Sequence, residues 1–214
     1  MRSERLLVLV LTRRCDRGCG YCPQAFADAD MAPAVLDAAI EGLFPILAPP
    51  ARLKLFGGEP LLRPDLVERA LELAAERFPG TIVELPTHGG GLPEVSALLA
   101  RHPEVELFAS VPSSLAARRP GAVHNLLIAP GEAPAAAARR LALARRLGFA
   151  RFNFLPAYFV RWTPEQLRRL AAVFSALRLV LTRWADAGRP VEVVNLSRHG
   201  TTPLYNDSMT VDTD

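Results

Sequence analysis

The chain has 214 residues, half of them apolar, enough to bury one sizeable core and to form a single domain. Its formal charge is only +3, Lys54 is the one lysine among 25 basic residues, and no run of like charge marks a nucleic-acid surface, so a nucleic-acid partner is not expected. The apolar run 6–11 is too short for a signal-peptide core or a membrane span, and three cysteines confined to residues 15–22 cannot build a disulfide framework. The expectation is a protein of the reducing cytoplasm with no membrane partner.

Near-continuous apolar runs predict strands at 5–12, 52–56, 81–87, 104–110, 124–129 and 151–156, as for strands covered on both faces. Helical patterns fall at 32–47, 64–78, 92–101, 133–147 and 163–187. Pro64 and Pro164 stand near helix starts, where a missing N–H costs little, and Gly80, Gly148 and Gly188 lie just past helix ends. The link 112–123 has room for a short helix at most. Residues 191–197 read as a further short strand, and the tail "RHGTTPLYNDSMTVDTD" as turns with a weak strand that lacks a hairpin partner.

Six strand–helix units in sequence predict an α/β fold with a parallel sheet, either doubly wound or curved into a partial barrel. Residues 1–190 form the expected core. Residues 191–214 form a short C-terminal extension, expected to be a truncated remnant of a longer chain or of a second module. Every glycine-rich or polar cluster follows a strand: the cysteines the first, "GGEP" (57–60) the second, "THGGG" (87–91) the third, "SVPSS" (110–114) the fourth, "PGE" (130–132) the fifth and "PAYF" (156–159) the sixth. That is the carboxyl end of a parallel sheet, where such folds bind ligands.

The segment "TRRCDRGCGYCPQAF" (12–26) carries all three thiols, together with two glycines and several charges, so it reads as a loop and not as core. A structural zinc site needs four ligands, usually as two C-x2-C knuckles or with histidines nearby, and the nearest histidine in sequence is His88 on another loop. A cubane iron–sulfur cluster suits close spacings on a glycine-rich loop. Three thiolates leave one iron without a protein ligand, which in an enzyme is an open coordination site.

Cys15-x3-Cys19-x2-Cys22, with Tyr21 just before the last cysteine, resembles the signature of the radical S-adenosylmethionine (radical SAM) superfamily. The resemblance runs over about residues 5–156 and implies a partial (β/α)6 TIM-like barrel. It also implies a 4Fe-4S cluster on Cys15, Cys19 and Cys22, and S-adenosyl-L-methionine (SAM) chelated to the open iron, with Tyr21 beside the cofactors. "LFGGEPLLRPDL" (55–66) is similar to the family's second motif, in which Gly57, Gly58 and Glu59 meet the amino group of the methionine moiety. Glycines let the backbone approach a ligand and Glu59 brings negative charge near an ammonium, although "GGEP" alone is equally an ordinary βα turn.

"PTHGG" stands where relatives carry Thr-Asn-Gly; Thr87 and Gly89 match, and His88 departs. Asparagine tolerates left-handed backbone better than histidine does, so any contact an amide would make is in question. "HGGG" is also an esterase oxyanion-hole pattern, but the chain has no G-x-S-x-G elbow, and hydrolysis is discounted. The resemblance further places Ser110 toward the ribose or the methionine carboxylate, and Ile128, Asn153 and Leu155 toward adenine. The aromatic stretch 153–163, with Tyr158, Phe159, Arg161 and Trp162, is either a substrate cavity lining or a plug under the last long helix. His102, His124 and His199 read as surface or packing residues.

The implied activity is reductive cleavage of SAM to methionine and a 5′-deoxyadenosyl radical, which abstracts hydrogen from an organic substrate or a peptide. A flavodoxin- or ferredoxin-type reductant is the implied partner. "GGEPLLRPDL" is most similar to the branch holding molybdenum-cofactor cyclisation enzymes and peptide-modifying maturases, many with a cysteine-rich C-terminal extension for which this chain has no cysteine left. Two alternatives stay open: an activating protein for a glycyl-radical enzyme, and a non-catalytic iron–sulfur or SAM-binding protein.

Overall fold

The computed structural model describes residues 5–47, 51–197 and 208–213. In chain order its elements are β1 (Arg5–Thr12), α1 (Pro33–Ala38), β2 (Ala51–Gly57), α2 (Pro64–Arg77), β3 (Ile82–Thr87), α3 (Leu92–Arg101) and β4 (Val105–Ala109). They continue with α4 (Ser114–Ala117), β5 (Val123–Ile128), α5 (Pro134–Leu147), β6 (Arg151–Pro156), α6 (Pro164–Asp186), β7 (Glu192–Val193), α7 (Val194–Ser197) and β8 (Ser208–Val211). Six βα pairs follow one another, so the fold class is α/β, consistent with a partial (β/α)6 barrel. None of the described helices is long and apolar enough to cross a membrane.

The chain divides into two compact units, one of Met1–Arg17, Gln24–Phe108 and His199–Asp214, the other of Gly18–Pro23 and Ala109–Arg198. In the first unit the strand order is β8-β1-β2-β3-β4. The pairs β1–β2, β1–β8 and β2–β3 are parallel. Side chains alternate across each strand. Leu7, Leu9, Leu11, Leu53, Leu55, Val83 and Leu85 are fully buried on one face, each leucine contributing about 2 kcal/mol on removal from water. The apolar stripe of α2 (Leu66, Val67, Ala70, Leu71, Ala74) is buried as well.

The other face of β2 carries charge. Arg52 is only 6% exposed, and such a guanidinium must be paired. Its Nε donates to Glu84 at 2.8 Å and its Nη2 to Glu106. Lys54 Nζ lies 3.7 Å from Glu84 and 5.5 Å above the Phe56 ring.

In the second unit β5, β6 and β7 are parallel neighbours. His124 is buried against Phe149 and Phe152, with ring centroids 5.4 and 6.3 Å away. Helix α6 opens on a capping box: Thr163 Oγ1 accepts from the Gln166 N–H, and Gln166 accepts from the Thr163 N–H.

Three expectations change in form. The helix expected over 32–47 is α1 followed by a π-helical turn at Ala39–Leu43 and a 3-10 turn at Phe44–Ile46. Pro45 lacks the N–H that an α-helix would use and crowds the carbonyl four residues back. The strand expected over 191–197 stops after Glu192–Val193 and turns into α7. There the Asn195 amide does a strand's work: Nδ2 donates to Phe154 O at 2.9 Å, and Oδ1 accepts from Phe154 N at 3.3 Å.

In the tail, residues 198–207, which include His199, lie outside the described residues. The weak strand does not need a hairpin partner. It is β8, lying parallel to β1 with Met209 opposite Leu7 and Val211 opposite Leu9.

Candidate functional site

In the first unit, the loops after β1, β2 and β3 converge. Thr12, the last residue of β1, is fully buried. Its hydroxyl donates to Asp30 at 2.6 Å and accepts from the Arg14 N–H at 3.0 Å. Arg14 clamps the same Asp30 through Nε (3.0 Å) and Nη2 (2.8 Å), and Arg63 Nη1 reaches it at 2.9 Å. Burial alone would raise the Asp30 carboxyl, but hydrogen bonds from Thr12, Arg63 and Arg14 hold it below the usual carboxylate range.

The glycines of the second motif lie directly on this loop. Gly58 N–H donates to Thr12 O at 2.8 Å, and Glu59 N–H to Arg14 O at 2.9 Å. A Cβ at Gly57 would stand 2.4 Å from Thr12 O. One at Gly58 would stand 2.2 Å from Arg14 O and 3.0 Å from the Cys15 Cβ. Only glycine permits this approach.

Glu59 is 1% exposed, and its carboxylate is turned into the unit. Oε1 accepts from Thr87 Oγ1 (2.6 Å) and Leu61 N (3.1 Å). Oε2 accepts from His88 N (2.8 Å) and lies 3.1 Å from His88 Nε2. Thr87 is buried and further accepts from Gly89 N at 2.9 Å. The left-handed position of this loop is Gly89, at φ +90°, while no described residue other than glycine has positive φ. The histidine at 88 therefore carries no backbone strain. Its Nε2 also lies 2.6 Å from Asp16 Oδ1, and the ligand atoms of Cys15, Asp16 and His88 fall within 4.8 Å of one another.

From sequence, His88 stood as a departure from the family pattern and as a histidine on a loop apart from the cysteines, and Asp16 was given no role; the fold brings both beside Cys15. The signal was an imidazole where relatives carry an amide, with a carboxylate directly beside the first cysteine.

Gly18–Pro23 belongs to the second unit. Cys22 N–H donates to Cys19 O at 2.9 Å, closing a tight turn, and all three cysteines are half-buried and free of disulfides. Tyr21 titrates above the ordinary phenol range, first because it is partly buried and then because its hydroxyl bonds to Cys19. Ser110 is exposed just past β4.

On β6, Asn153 and Leu155 share the face away from buried Phe152 and Phe154. Asn153 Nδ2 donates to Asn125 Oδ1 at 3.1 Å, while its own Oδ1 is buried without a partner among the described residues. Ile128 departs from the expected placement. It is buried on the face of β5 that holds His124 and Leu126, whereas Asn125 and Leu127 are the partners of Asn153 and Leu155.

Tyr158 joins Phe154, Pro156, Phe174, Leu177 and Leu196 around a cavity of about 390 Å³. Phe159 is 72% exposed, and Trp162 is tied down by its Nε1–H to Ala157 O at 2.7 Å. His102 is buried with Nδ1 2.7 Å from Glu104, a packing residue as expected.

Residues 9–174 match the Radical SAM superfamily. No curated protein matches the sequence. Among solved structures, native anSMEcpe with bound AdoMet and Cp18Cys peptide aligns at TM-score 0.71 and 15% identity, covering 98% of this chain and 71% of that one. A polyhistidine-tagged anSMEcpe with bound AdoMet aligns at 0.69 and 14%, covering 89% and 64%. Streptococcus suis SuiB bound to precursor peptide SuiA aligns at 0.70 and 12%, covering 98% and 58%. The chain thus shares the fold of these proteins while spanning roughly three fifths to seven tenths of their length. With the cysteine motif after β1 and the glycine motif after β2, a match over 9–174 establishes that the chain belongs to the radical SAM superfamily, enzymes that use a 4Fe-4S cluster and S-adenosyl-L-methionine.

Proposed function

We propose that Cys15, Cys19 and Cys22 hold a 4Fe-4S cluster and that the loops after β2 and β3 receive the methionine end of SAM. With one electron added, the bound pair supplies reductive cleavage of the sulfonium to methionine and a 5′-deoxyadenosyl radical, which takes a hydrogen atom from an organic or peptide substrate. The observation that carries the reading is Gly58. Its backbone meets the Arg14 carbonyl and the Cys15 side chain so closely that no Cβ fits, which seats the glycine motif directly on the loop that carries Cys15.

Each residue then has a physical task. Gly57 and Gly58 let the loop after β2 close against the backbone of the cysteine loop, and Glu59 and Thr87, bonded to each other, hold the loops after β2 and β3 together as positioning residues. Asn153 Oδ1, a buried acceptor in want of a donor, suits an adenine amino group, with Leu155 and Leu127 offering apolar contact on the same face. Ile128 supports that strand from its opposite face, and Ser110 is the polar residue closest in sequence to the end of β4. Tyr21 backs the Cys19 thiolate.

Likeness to anSMEcpe and SuiB, solved with peptides bound, favours a peptide substrate over a small molecule. The reductant is proposed to be of flavodoxin or ferredoxin type, and the compartment the cytoplasm, where three accessible thiols stay reduced. Residues 1–190 carry this core, with 191–214 completing strand edges through β7, α7 and β8.

The test is anaerobic reconstitution with iron and sulfide, reduction, and detection of 5′-deoxyadenosine by mass spectrometry. Cys19→Ala should lose cluster absorbance and product while keeping native circular dichroism. Product from Cys19→Ala at the wild-type rate, or zinc in place of iron and sulfide in air-free preparations, would overturn the assignment. An intact cluster that binds SAM without cleaving it would leave only a binding protein.

A further inference from the structure

Helix α6 is amphipathic twice over. Val173 and Leu177 are buried in the core of the second unit, and Leu170, Val180 and Trp184 flank them half-buried. At about 3.6 residues per turn, a second line lies roughly a quarter-turn round the helix. It runs Leu167, Ala171, Phe174, Arg178, Leu181 and Ala185, in alternate steps of four and three, the spacing of a helix–helix seam. Leu167 is 50% and Phe174 38% exposed; Ala171, Arg178 and Ala185 are exposed and Leu181 half-buried. The fold therefore leaves this line open.

The cavity of about 390 Å³ lies beside it, walled on the helix side by Phe174, Leu177, Arg178 and Leu181 and across from them by Tyr158 and Leu196. Arg178 makes no hydrogen bond or ion pair among the described residues. Two further exposed charges bordering the line are equally unpaired among those residues, Arg168 near the start of α6 and Asp186 at its end. Between them stands Ser175, whose hydroxyl already donates to Ala171 O at 3.0 Å, so covering it strands no donor.

We propose that this line seats the same line of a second copy of the chain, antiparallel across a two-fold axis. Turned end for end about the midpoint between Phe174 and Arg178, the line is self-complementary. Leu167 meets Ala185 of the second copy, Leu181 meets its Ala171, and the Arg178 guanidinium lies over its Phe174 ring, each contact made twice. Large side chains thus face small ones, as close packing requires. Arg168 falls beside Asp186 of the second copy, joining charges that each copy alone leaves unpaired. A parallel arrangement would set Arg168 against Arg168, so charge selects the antiparallel one.

The test is sedimentation equilibrium of the full chain at about 1 to 100 µM, under reductant so that no disulfide links two copies. Wild type should show a monomer–dimer equilibrium in that range. Phe174→Glu should raise the dissociation constant about tenfold or more with circular dichroism unchanged. Arg168→Glu and Asp186→Arg should each weaken the dimer about threefold to tenfold, because each sets like charges opposite. The variant carrying both should return to within about twofold of wild type. These two positions are fully on the exposed flank and serve if Phe174→Glu perturbs the fold. A wild-type chain that stays monomeric throughout would overturn the proposal. So would a dimer indifferent to Phe174→Glu, or one that the double charge exchange fails to restore.

Discussion

Arg13 and Asp212 form a two-pronged ion pair, Nε to Oδ1 at 3.0 Å and Nη2 to Oδ2 at 2.9 Å, joining the residue after β1 to the residue after β8. The pair pins the C-terminal strand beside the start of the cysteine loop. First the Arg13 hydrogen bond, opposed by partial burial, draws the Asp212 carboxyl below its ordinary value. Because the folded value is depressed, this contribution is present above the unfolded carboxyl value and is lost as pH falls through the folded one. Both side chains are partly exposed, so its size is about 0.5–1 kcal/mol. Asp212→Asn should lower the unfolding free energy obtained from urea titration at pH 7 by that amount, and the gap from wild type should close in strong acid. An equal gap at pH 7 and pH 2 would assign the loss to something other than charge.

Gly58→Ala should be far more damaging than Gly20→Ala, although both glycines lie beside a cysteine, Gly20 in sequence and Gly58 in space. A Cβ at Gly58 meets backbone at 2.2 Å, which cannot rotate aside, whereas nothing lies within 4 Å of one at Gly20. Overpacking of this kind costs about 1–3 kcal/mol, and here the strain falls on Cys15. The expected result is a lower melting temperature and reduced iron per chain for Gly58→Ala, with Gly20→Ala close to wild type in both. If Gly58→Ala loads iron normally, the contact does not define the cluster loop.

The strands and helices were legible because their apolar patterns matched the burial they received. Leu7, Leu9 and Leu11 alternate along β1, and Leu66, Val67, Ala70, Leu71 and Ala74 recur along α2. The cysteine and glycine motifs were legible because each requires rare residues at fixed spacing. What escaped depended on partners distant in sequence. β8 looks like a weak tail until β1 is beside it. Asn195 looks like a strand residue until the Phe154 backbone claims its amide. Ile128 was placed by its correspondence to an apolar residue of the family's fifth strand, and the parity of β5 sets it on the face opposite Asn125 and Leu127, the partners of Asn153 and Leu155. The link from Asp16 to His88 joins residues 72 positions apart, and nothing local in either segment announces it.

His124 makes the second unit acid-sensitive in a defined window. Burial pushes it down to about 4; the hydrogen bond to Ala109 O opposes this, and Arg140 adds a smaller repulsion. Nδ1 lies 2.9 Å from Ala109 O and Nε2 has no partner among the described residues, so the folded ring is neutral with its proton on Nδ1. The ordinary histidine value is 6.5. Between 6.5 and about 4 the unfolded chain binds a proton that the folded chain refuses, so stability falls as pH falls through that range and this loss levels off below it. At about 1.4 kcal/mol per unit the loss is on the order of 3 kcal/mol. His124→Asn puts an amide nitrogen where Nδ1 donates and removes the titration. It should cost some packing against Phe149 and Phe152 at pH 7, and its urea midpoint should then vary less than that of wild type between pH 7 and pH 4. Parallel pH profiles for the two proteins would show that the ring is protonated in the fold, and that another group governs the acid transition.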